Sequence, residues 1–461
     1  MKSPIGRLAL VFRQAGFQLY LVGGPVRDRI MGRTAHDIDL TTDARPDRTR
    51  ALTKRAGARE IFGVGEKFGT IGALFEGTQV EITTFRSEAY TPGSRKPQVE
   101  FGDSLEADLA RRDFTVNAIA QDVFTGRIVD PFGGVADIVR GVIRAVGIPD
   151  DRFREDPLRV LRAVRFAVQL GFDIDQDTAA AMRREATGLA EISAERIGAE
   201  LQLILMADGP ERAIVSLLEL GLLSFVLPDL IPLQRTIQDD RHQYKDVFAH
   251  TMRVLSAVSP VPELRWSALL HDVAKPETKS IRRGRVNFHG HEELGARKAR
   301  DILKQLRFDG RLVERVSHIV RLHMRANSYR PDWTDGAVRR FIREAGDQLD
   351  NLIAFSRADI TSYRPRRVEK GLARVAELQV RCETILGEQD VAALDSPLDG
   401  HALMKLFNRP PGIWIKPIKQ HLLDLVLDGE LDPYDVDTAE RLALAFVEAS
   451  ERQPAVNAGD R

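Results

Sequence analysis

The stretch LVGGPVRDRIMGRTAHDIDL, Leu21–Leu40, ends a strand-like run in two glycines and reaches a second strand through a short helix-like segment. Gly23 and Gly24 leave the backbone without side chains, and Pro25 suits the first position of a helix. The N-terminus of such a helix attracts phosphate, and Arg27 adds a fixed positive charge one turn later. The stretch therefore predicts a strand, a phosphate-binding turn and a helix within an α/β domain.

Two aspartates close this stretch. Asp37 and Asp39 point to one face of the strand DIDL, because side chains alternate along a strand. Two carboxylates this close repel each other unless a cation lies between them, and oxygen ligands beside a triphosphate favour Mg²⁺. Glu81, in the strand-like QVEITTF, is the favoured third carboxylate, and Glu76 is the alternative. The pattern predicts phosphoryl transfer, whereas the simpler interpretation is a turn followed by an exposed acidic edge strand.

The hydrophobic pattern divides the chain into an α/β part and a helical part. Up to about residue 140, alternating runs mix with helix-like runs, while helical patterns dominate from about residue 155. We therefore expect an α/β head with a mixed sheet, followed by a mostly α-helical body. Turn-rich breaks suggest four domains: residues 1–140, 141–235, 236–370 and 371–461.

Composition and charge limit the classes of protein. Of the 461 residues, 67 are Lys or Arg and 67 are Asp or Glu, so bulk charge does not favour a protein that coats nucleic acid. Polyanion binding must then come from local clusters, such as Arg282, Arg283 and Arg285. Only Cys382 is present and no apolar run is long enough to cross a membrane, so we expect a cytoplasmic protein without a membrane partner.

The motif GG-x-V-R-D followed by D-x-D resembles the first motif of the class II tRNA nucleotidyltransferases, a family of CCA-adding enzymes and bacterial poly(A) polymerases within the DNA polymerase β superfamily. RRDFTVNA, DPFGGVADIVRGVIR, EDPLRVLRAVRFA and ERIGAEL resemble the family's later motifs in this order. The resemblance implies a nucleotidyltransferase head at residues 1–140, with catalysis by Asp37, Asp39 and a third carboxylate. It also implies contacts with the incoming nucleotide from Gly23, Gly24, Arg27, Arg111, Arg112, Asp113, Asn117, Asp156, Arg159 and Arg162.

The segment EDPLR has the groups needed to select a base. Asp156 and Arg159 are three residues apart at a predicted helix start and therefore share a face. A carboxylate accepts a hydrogen bond from the amine of cytosine or adenine while a guanidinium donates to the neighbouring ring acceptor, which favours C and A over U and G. The alternative is structural: Asp156 caps the helix, and Glu155 forms an ordinary i,i+4 ion pair with Arg159.

Histidines concentrate in one part of the helical body, where seven of the ten lie between His242 and His323. Imidazole and carboxylate groups are common ligands of transition metals, and an open position on such a metal allows water activation. The order H, HD, GHE and a late D resembles the HD phosphohydrolase superfamily. The resemblance implies an HD domain at residues 236–370 with a second, hydrolytic metal site; the alternative is an inactive helical scaffold. The matching residues are His250, His271, Asp272, His291 and Asp359, with His318 or His323 as an extra ligand.

The resemblance implies an enzyme that adds C, C and A to the 3′ end of tRNA from CTP and ATP and releases pyrophosphate, and we expect no DNA partner. Residues 86–105, rich in Gly, Pro and charge, predict a long mobile loop; in the family such a loop helps to switch from C to A. Residues 141–235 form the predicted neck, and residues 371–461 are predicted to bind RNA through lysines such as Lys416 and Lys419. The alternatives are a poly(A) polymerase, and an HD phosphohydrolase whose head binds nucleotide without activity.

Overall fold

A computed structural model describes residues 3–34, 38–63, 69–89, 98–102, 104–236, 246–283, 285–361, 364–388, 390–391 and 393–452. Asp37 and the middle of the predicted loop, residues 90–97, lie outside the described residues. The chain divides into two compact units, Met1–Ile231 and Pro232–Arg461. Within the described ranges, no helix has the length and apolar character needed to cross a membrane.

The first unit is built on a mixed sheet. Its strands, in the described ranges, are β1 (Leu19–Val22), β2 (Asp39–Thr42), β3 (Glu60–Phe62), β4 (Thr70–Phe75), β5 (Thr78–Thr84), β6 (Arg86–Ala89), β7 (Gln98–Phe101), β8 (Ala120–Asp122), β9 (Ile128–Val129), β10 (Val142–Ile143) and β11 (Asp173–Ile174). The main sheet has the order β3-β4-β5-β2-β1-β8-β9. Strand β2 pairs with β5 in parallel, whereas the other neighbours in this sheet are antiparallel.

Helices cover this sheet and continue beyond it. They are α1 (Pro4–Gln14), α2 (Gly24–Ile30), α3 (Pro46–Arg55), α4 (Leu105–Ala110), α5 (Gly134–Arg140), α6 (Pro149–Glu155), α7 (Leu158–Leu170), α8 (Gln176–Arg184), α9 (Ala194–Met206), α10 (Pro210–Glu219) and α11 (Leu223–Val226). After β9, the remaining strands of this unit are two-residue segments, so the α/β pattern gives way to helices near the point that the sequence predicts.

Alternation along β2 and β5 separates a core face from an acidic face. Leu40 lies beside Ile82 in the parallel pairing, and both pack with residues of α1 and α3 in one buried cluster. One residue earlier on each strand, Asp39 lies beside Glu81 and therefore faces the opposite side of the sheet. Burial of the core face fixes the register, because a slip of one residue would turn the carboxylates into the core.

The segment predicted as one long loop is partly a hairpin. Strands β6 and β7, near its two ends, pair antiparallel from Arg86 with Phe101 to Ala89 with Gln98. The prediction of a loop was therefore wrong for these strands. The composition of a segment does not show backbone pairing between residues that are fifteen positions apart, which is why the sequence did not indicate the hairpin.

Helix α7 carries the segment LRVLRAVRFA into the interior of the first unit. Arg165, on its buried face, donates from Nε to Glu200 Oε1 on α9 at 2.5 Å. The two side chains are 10% and 5% exposed, and the guanidinium lies 4.2 Å from the centroid of the Phe166 ring. This buried ion pair joins EDPLRVLRAVRFA to ERIGAEL, two motifs that are separated in the sequence.

The second unit is mostly helical. Its helices, in the described ranges, are α12 (Val247–Ala257), α13 (Pro262–Leu270), α14 (Lys275–Thr278), α15 (His291–Gln305), α16 (Gly310–Asn327), α17 (Asp335–Ala345), α18 (Leu349–Asp359), α19 (Pro365–Glu388), α20 (Gly400–Phe407), α21 (Ile415–Asp428) and α22 (Val436–Arg452). Two short strands, β12 (Ser280–Arg282) and β13 (Arg285–Asn287), pair antiparallel between α14 and α15. Helix α16 packs against α13, α15 and α18, and a separate apolar cluster joins α20, α21 and α22. The predicted fold class, an α/β head with a mixed sheet and a mostly helical body, is confirmed.

We expect Arg165→Met to destabilise the first unit, because it leaves the buried Glu200 carboxylate without its charged partner. Removing one side of a buried ion pair costs about 3 to 5 kcal/mol, which in a unit of this size lowers the melting temperature by roughly 10 °C. The double variant Arg165→Met/Glu200→Leu should recover most of that loss, since it removes the unpaired charge. Calorimetry of both variants tests this, and a double variant as unstable as Arg165→Met would contradict it.

Candidate active site and metal centre

The turn between β1 and α2 brings bare backbone against an arginine. Gly23 has a φ of +72°, in the left-handed region, and a Cβ there would lie 2.9 Å from Arg112 Nη1. Only glycine combines this conformation with this approach at low cost. Helix α2 begins at Gly24, and Arg27 is buried within it. The structure thus places four of the predicted nucleotide-binding residues at one turn.

Two of the predicted catalytic carboxylates are neighbours on adjacent strands. Asp39 of β2 lies directly beside Glu81 of β5 in the parallel register. The β1–β2 register, continued by one residue, sets Asp39 beside Val22 and next to the glycine turn. Asp39 is half-buried and Glu81 is exposed. Both carboxylates therefore leave the sheet on one face, close to the predicted phosphate-binding turn.

The alternative third carboxylate, that of Glu76, lies in the turn before β5. Glu76 occupies the turn between β4 and β5 with a φ of +46°, and its carboxylate pairs with Arg7 at 3.2 Å. From Thr78, where β5 begins after this turn, to Glu81 the extended strand covers about 10 Å. The geometry therefore favours Glu81. Asp37 lies outside the described residues, so its role stays a prediction.

A chain of hydrogen bonds connects the glycine turn with α7. Arg27 donates from Nε to Asp28 Oδ1 at 2.9 Å and from Nη1 to Asn117 Oδ1 at 2.7 Å. Asn117 Nδ2 donates to Asp113 Oδ1 at 3.1 Å. Arg162 donates to Asp113 Oδ2 from Nε at 2.9 Å and from Nη2 at 2.6 Å. Four of the predicted nucleotide-binding residues thus form one continuous network.

Asp113 is the anionic centre of this network. Burial by itself would raise the pKa of Asp113, but the charge of Arg162 and hydrogen bonds from Arg162, Asn117 and the Phe114 amide outweigh it and lower the pKa. The carboxylate therefore stabilises the fold above its ordinary pKa, and this contribution is lost as the pH falls through the lowered pKa. At neutral pH Asp113 stays ionised and holds both Arg162 and Asn117 in position.

The sequence did not single out one acid of this region. Asp108 of α4 is fully buried and accepts from Arg111 Nε at 3.0 Å and from Nη2 at 2.7 Å, while Arg112 Nη2 lies 3.6 Å from it. Its position three and four residues before two arginines is the signal that would have identified it. Burial lowers the pKa of Arg112, although nearby carboxylates, among them Asp108 and Asp39, act to raise it. Among the described residues the buried Nε of Arg112 has no hydrogen-bond partner.

The two base-recognition candidates do not share a helical face. Helix α6 ends at Glu155, and Asp156 is extended, with a φ of −145° and a ψ of 95°, before α7 begins at Leu158. A helix does start close to Asp156, but the prediction that Asp156 and Arg159 share a helical face was wrong, because a proline disfavours the helical conformation of the residue before it. Asp156 Oδ1 accepts from the Leu158 amide at 3.2 Å, and Oδ2 pairs with Arg196 at 2.8 Å.

Arg159 is held mainly by backbone and by a neighbouring acid. Its Nη1 donates to Glu155 Oε2 at 2.8 Å and to the Arg152 carbonyl at 3.2 Å, and its Nη2 donates to the Arg111 carbonyl at 2.8 Å. These contacts include the i,i+4 ion pair of the structural alternative. The role of Asp156 and Arg159 in base selection therefore stays a prediction.

Three imidazoles in the second unit are oriented by backbone carbonyls. Nδ1 of His271, His291 and His323 lies 2.9, 2.7 and 2.6 Å from the backbone carbonyl three residues earlier. A carbonyl only accepts hydrogen bonds, so each Nδ1 carries a hydrogen, and the neutral form of each ring presents a lone pair at Nε2. Burial by itself would lower the pKa of His271, but the charge of Asp272 and a hydrogen bond with it outweigh burial and raise this pKa. The Nε2 atoms of His291 and His323 are 3.2 Å apart, and those of His250 and His271 are also 3.2 Å apart.

Asp272 joins two groups of ligand atoms. His250, His271 and Asp272 form one group, and Asp272, His291 and His323 form the other; within each group the ligand atoms lie within 4.8 Å of one another. Asp272 is 1% exposed, and its Oδ1 has no hydrogen-bond partner among the described residues. A buried carboxylate oxygen without a partner is costly unless a cation or ligand binds it. The imidazole nitrogens and the shared carboxylate thus form a set of ligands that suits a divalent metal ion.

Asp359 adds a second carboxylate to the first group. Its Oδ1 lies 3.0 Å from His250 Nε2, and its Oδ2 accepts from Asn327 Nδ2 at 2.9 Å. Burial would raise the pKa of Asp359, but the hydrogen bond to His250 and the nearby histidines lower it to about 2. Burial lowers the pKa of His323 to about 4. At neutral pH the carboxylate is ionised and the imidazole is neutral, which are the states that bind metal.

Of the two extra histidines considered in the sequence, the structure brings His323 to this centre and leaves His318 outside it. His318 lines a separate cavity of about 570 Å³ between α15, α16 and α17. The step of five residues from His318 to His323 turns α16 by about 140°, which separates their faces. Lys275, which the sequence did not single out, donates to Asp272 Oδ2 at 2.7 Å and balances part of the negative charge.

Three family descriptions match successive parts of the chain. Residues 19–144 match "Poly A polymerase head domain", residues 171–233 match "Probable RNA and SrmB- binding site of polymerase A", and residues 247–364 match "HD domain". The last match confirms the HD-type domain that the histidine pattern predicted.

Relatives match the chain over nearly its full length. The CCA-adding enzyme of Bacillus subtilis (strain 168) is 44% identical over 450 residues, which cover 93% of this chain and 94% of that protein. The CCA-adding enzyme of Geobacillus thermodenitrificans (strain NG80-2) is 32% identical over 459 residues, or 98% and 99% of the two chains. The crystal structure of the Bacillus stearothermophilus CCA-adding enzyme in complex with CTP is 30% identical, with a TM-score of 0.67 over 98% of this chain and 100% of that one. With its motifs in order and its length matched, the chain belongs to the family of class II CCA-adding enzymes.

Proposed function

We propose that this chain extends the 3′ end of tRNA with C, C and A, using CTP and ATP and releasing pyrophosphate. The observation that carries the proposal is the placement of Asp39 beside Glu81, next to the glycine turn, in a member of this family. Relatives named CCA-adding enzymes match the chain from end to end, and one solved relative contains CTP.

The chemistry is nucleotidyl transfer. The terminal hydroxyl oxygen of the RNA bonds to the α-phosphorus, the bond from that phosphorus to the pyrophosphate oxygen breaks, and the hydroxyl proton passes to solvent. Asp37, Asp39 and Glu81 would hold divalent metal, and Mg²⁺ is the proposed ion because every ligand is a carboxylate oxygen. When bound, the ion lowers the pKa of the attacking hydroxyl and neutralises charge on the leaving pyrophosphate.

The hydrogen-bonded network positions the incoming nucleotide. Arg27 and Arg162 are already fixed by Asn117 and Asp113, so binding of a nucleotide does not have to order them. Arg112 retains a donor without a partner among the described residues. We assign phosphate contacts to Arg27, Arg111 and Arg112, and we assign ribose contacts to the Asp113–Asn117 pair.

Asp156 and Arg159 are the proposed base-selecting pair. Three of the five N–H groups of Arg159 are used in contacts that hold it, which leaves two for a base. Asp156 Oδ2 is shared with Arg196, so an exocyclic amine would compete with that pair or use a remaining lone pair. This arrangement supports a rigid edge that accepts from an amine and donates to a ring nitrogen or carbonyl.

The four-domain division is also part of the proposal. Residues 1–140 transfer the nucleotide, residues 141–235 select the base and contact RNA, and residues 236–370 form the HD domain. Residues 371–461 bind RNA; Lys416 is exposed there, whereas Lys419 lies 3.7 Å from Asp395. With a single cysteine in the chain, the reducing cytoplasm is the proposed location.

For the HD centre we propose metal-dependent hydrolysis of a phosphoester, with a 2′,3′-cyclic phosphate as substrate. The water oxygen bonds to phosphorus, one ester bond breaks, and a proton passes to the leaving ribose oxygen, which gives a monoester. The proposed ion is a divalent transition metal, which would supply a water of lowered pKa and a Lewis acid for the phosphoryl oxygens. The residues that would hold it are His250, His271, Asp272, His291, His323 and Asp359.

Removal of a catalytic carboxylate should abolish nucleotide addition. We expect Asp39→Ala or Glu81→Ala to lower kcat at least about a hundredfold, because each loses a negative ligand at a centre that stabilises the transition state by charge. Glu76→Ala is the matched control, since it removes the same group from the turn before β5, and it should keep the wild-type rate. Single-turnover assays on tRNA lacking its last three nucleotides test this; equal rates for Glu81→Ala and Glu76→Ala would remove Glu81 from the site.

The product and the choice of base distinguish a CCA-adding enzyme from a poly(A) polymerase. On the same shortened tRNA the wild type should use CTP and ATP, reject UTP and GTP, and stop after CCA, as sequencing of the product would show. Arg159→Ala should relax base choice by about 1 to 3 kcal/mol, roughly tenfold to a hundredfold, with little change in triphosphate binding. Long A tails on arbitrary RNA would identify a poly(A) polymerase, and lost stability with retained selectivity would leave Arg159 a structural residue.

The HD centre should act independently of the head. We expect divalent ions to support hydrolysis of a nucleoside 2′,3′-cyclic phosphate, and we expect His271→Ala or Asp272→Asn to abolish it while CCA addition continues. His318→Ala is the matched control, because His318 lies outside the ligand groups. Metal analysis should show lower metal content only in the ligand variants. A wild type that binds no metal and hydrolyses nothing with several divalent ions would leave the centre a scaffold.

A further inference from the structure

The strands β12 and β13 form a hairpin that connects two residues of the HD centre. Asp272 precedes the hairpin and His291 follows it, and no acid occurs from Thr278 to His291. We refer to residues 279–287 as the basic hairpin. Its four basic side chains are exposed, and within the described part of the chain none of them forms an ion pair with a carboxylate; they are Lys279, Arg282, Arg283 and Arg285.

The register places two of these arginines directly opposite each other. Arg282 pairs with Arg285, and Ser280 pairs with Asn287 on the same face of the hairpin. Side chains in such positions are about 5 Å apart at Cβ, where like charges repel and destabilise the pairing. Strands of three residues have few backbone hydrogen bonds to offset this repulsion. An anion bound between the two guanidinium groups would turn the repulsion into attraction.

The base of the hairpin is fixed to the HD centre on both sides. Before the hairpin, Lys275 donates to Asp272 Oδ2 at 2.7 Å and lies 5.4 Å from the centroid of the Phe288 ring. After it, the Phe288 carbonyl lies 2.7 Å from His291 Nδ1. The residues that flank the hairpin, Lys275 and Phe288, therefore contact ligands of the centre directly. A polyanion bound to the hairpin would be held by a segment whose two flanks are joined to the metal-binding groups.

We propose that the basic hairpin binds the sugar-phosphate backbone of a single-stranded RNA 3′ end and presents its terminal phosphoester to the HD centre. The proposal rests on the hydrolytic function proposed for that centre. A free nucleotide has no second phosphate for the hairpin, whereas an oligonucleotide gains a contact with each arginine it reaches. The substrate class is therefore an RNA end, and contacts with phosphates make its recognition independent of sequence.

Kinetics with two substrates test the proposal in the full-length protein. One substrate is adenosine 2′,3′-cyclic phosphate, and the other is an oligoadenylate with the same cyclic phosphate at its 3′ end. For Arg282→Gln/Arg285→Gln we expect KM for the oligonucleotide to rise about tenfold relative to KM for the mononucleotide, with kcat unchanged. The slope of log KM against log salt concentration should fall by about 1.4, since each lost contact with a single strand removes about 0.7.

Lys304→Gln/Arg311→Gln is the matched control. It removes the same charge from exposed positions on α15 and α16, and Lys304 lies thirteen residues beyond His291, about 20 Å along the helix. This control should leave the ratio of the two KM values at its wild-type level. An unchanged ratio in the hairpin variant, or an equal change in the control, would overturn the proposal.

Photocrosslinking separates failure of the hairpin from failure of the hydrolytic function. The same oligonucleotide with 4-thiouridine beside its 3′ end should crosslink to peptides within residues 279–291, and the Arg282→Gln/Arg285→Gln variant should lose that crosslink. Crosslinking there without hydrolysis of either substrate would reject the hydrolytic function and retain the RNA-binding hairpin. Absence of a crosslink at residues 279–291 in the wild type would reject the hairpin, whatever the hydrolysis assays show.

Discussion

The parallel pairing of β2 with β5 is the constraint on which the active site of the head depends. Parallel neighbours cannot be joined by a tight turn, so residues 43–77 must form α3, β3 and β4 before the chain returns. Burial of Leu40 beside Ile82 then leaves a single register in which Asp39 lies beside Glu81. Two carboxylates that would otherwise separate by repulsion are thus held together by the apolar side chains one position away from them.

The two candidate centres solve the problem of buried charge in different ways. In the head, each acid that is buried near the glycine turn has an arginine partner: Asp108 holds Arg111, and Asp113 holds Arg162. In the HD centre, the imidazoles are fixed by backbone carbonyls, and the acids meet imidazoles and one lysine instead of arginines. Neutral imidazoles leave Nε2 lone pairs for a metal, whereas guanidinium groups leave N–H donors for phosphates. The chemistry each centre can perform follows from this choice of partner.

Patterns within a few residues of one another predicted much of the fold and the candidate site. Alternation in QVEITTF indicated a strand, and it put Glu81 on the face opposite the core. Features that depend on contacts between distant residues, or on one backbone angle, could not be predicted from the sequence. Nothing local showed that β6 pairs with β7, and Asp156, as the residue before Pro157, is extended and does not share a helical face with Arg159. Lys275 was missed for a different reason: its contact with Asp272 is local, but a lysine three residues after an aspartate is common on any helix surface.

Two pairs of arginines in this chain have different electrostatic surroundings, and the difference bears on ligand size. Arg162 and Arg165 each have a buried acid, so they are positioned before any ligand arrives and their charge is already balanced. Such groups suit a small ligand that must be oriented within tenths of an ångström. Arg282 and Arg285 have each other as neighbours, with no acid from Thr278 to His291. Their charge is balanced only by an anion from outside, and several such contacts in a row favour a polymer of phosphates over a single nucleotide. A chain with equal numbers of acids and bases can therefore still carry a local excess of positive charge, and the basic hairpin is one such place among the described residues.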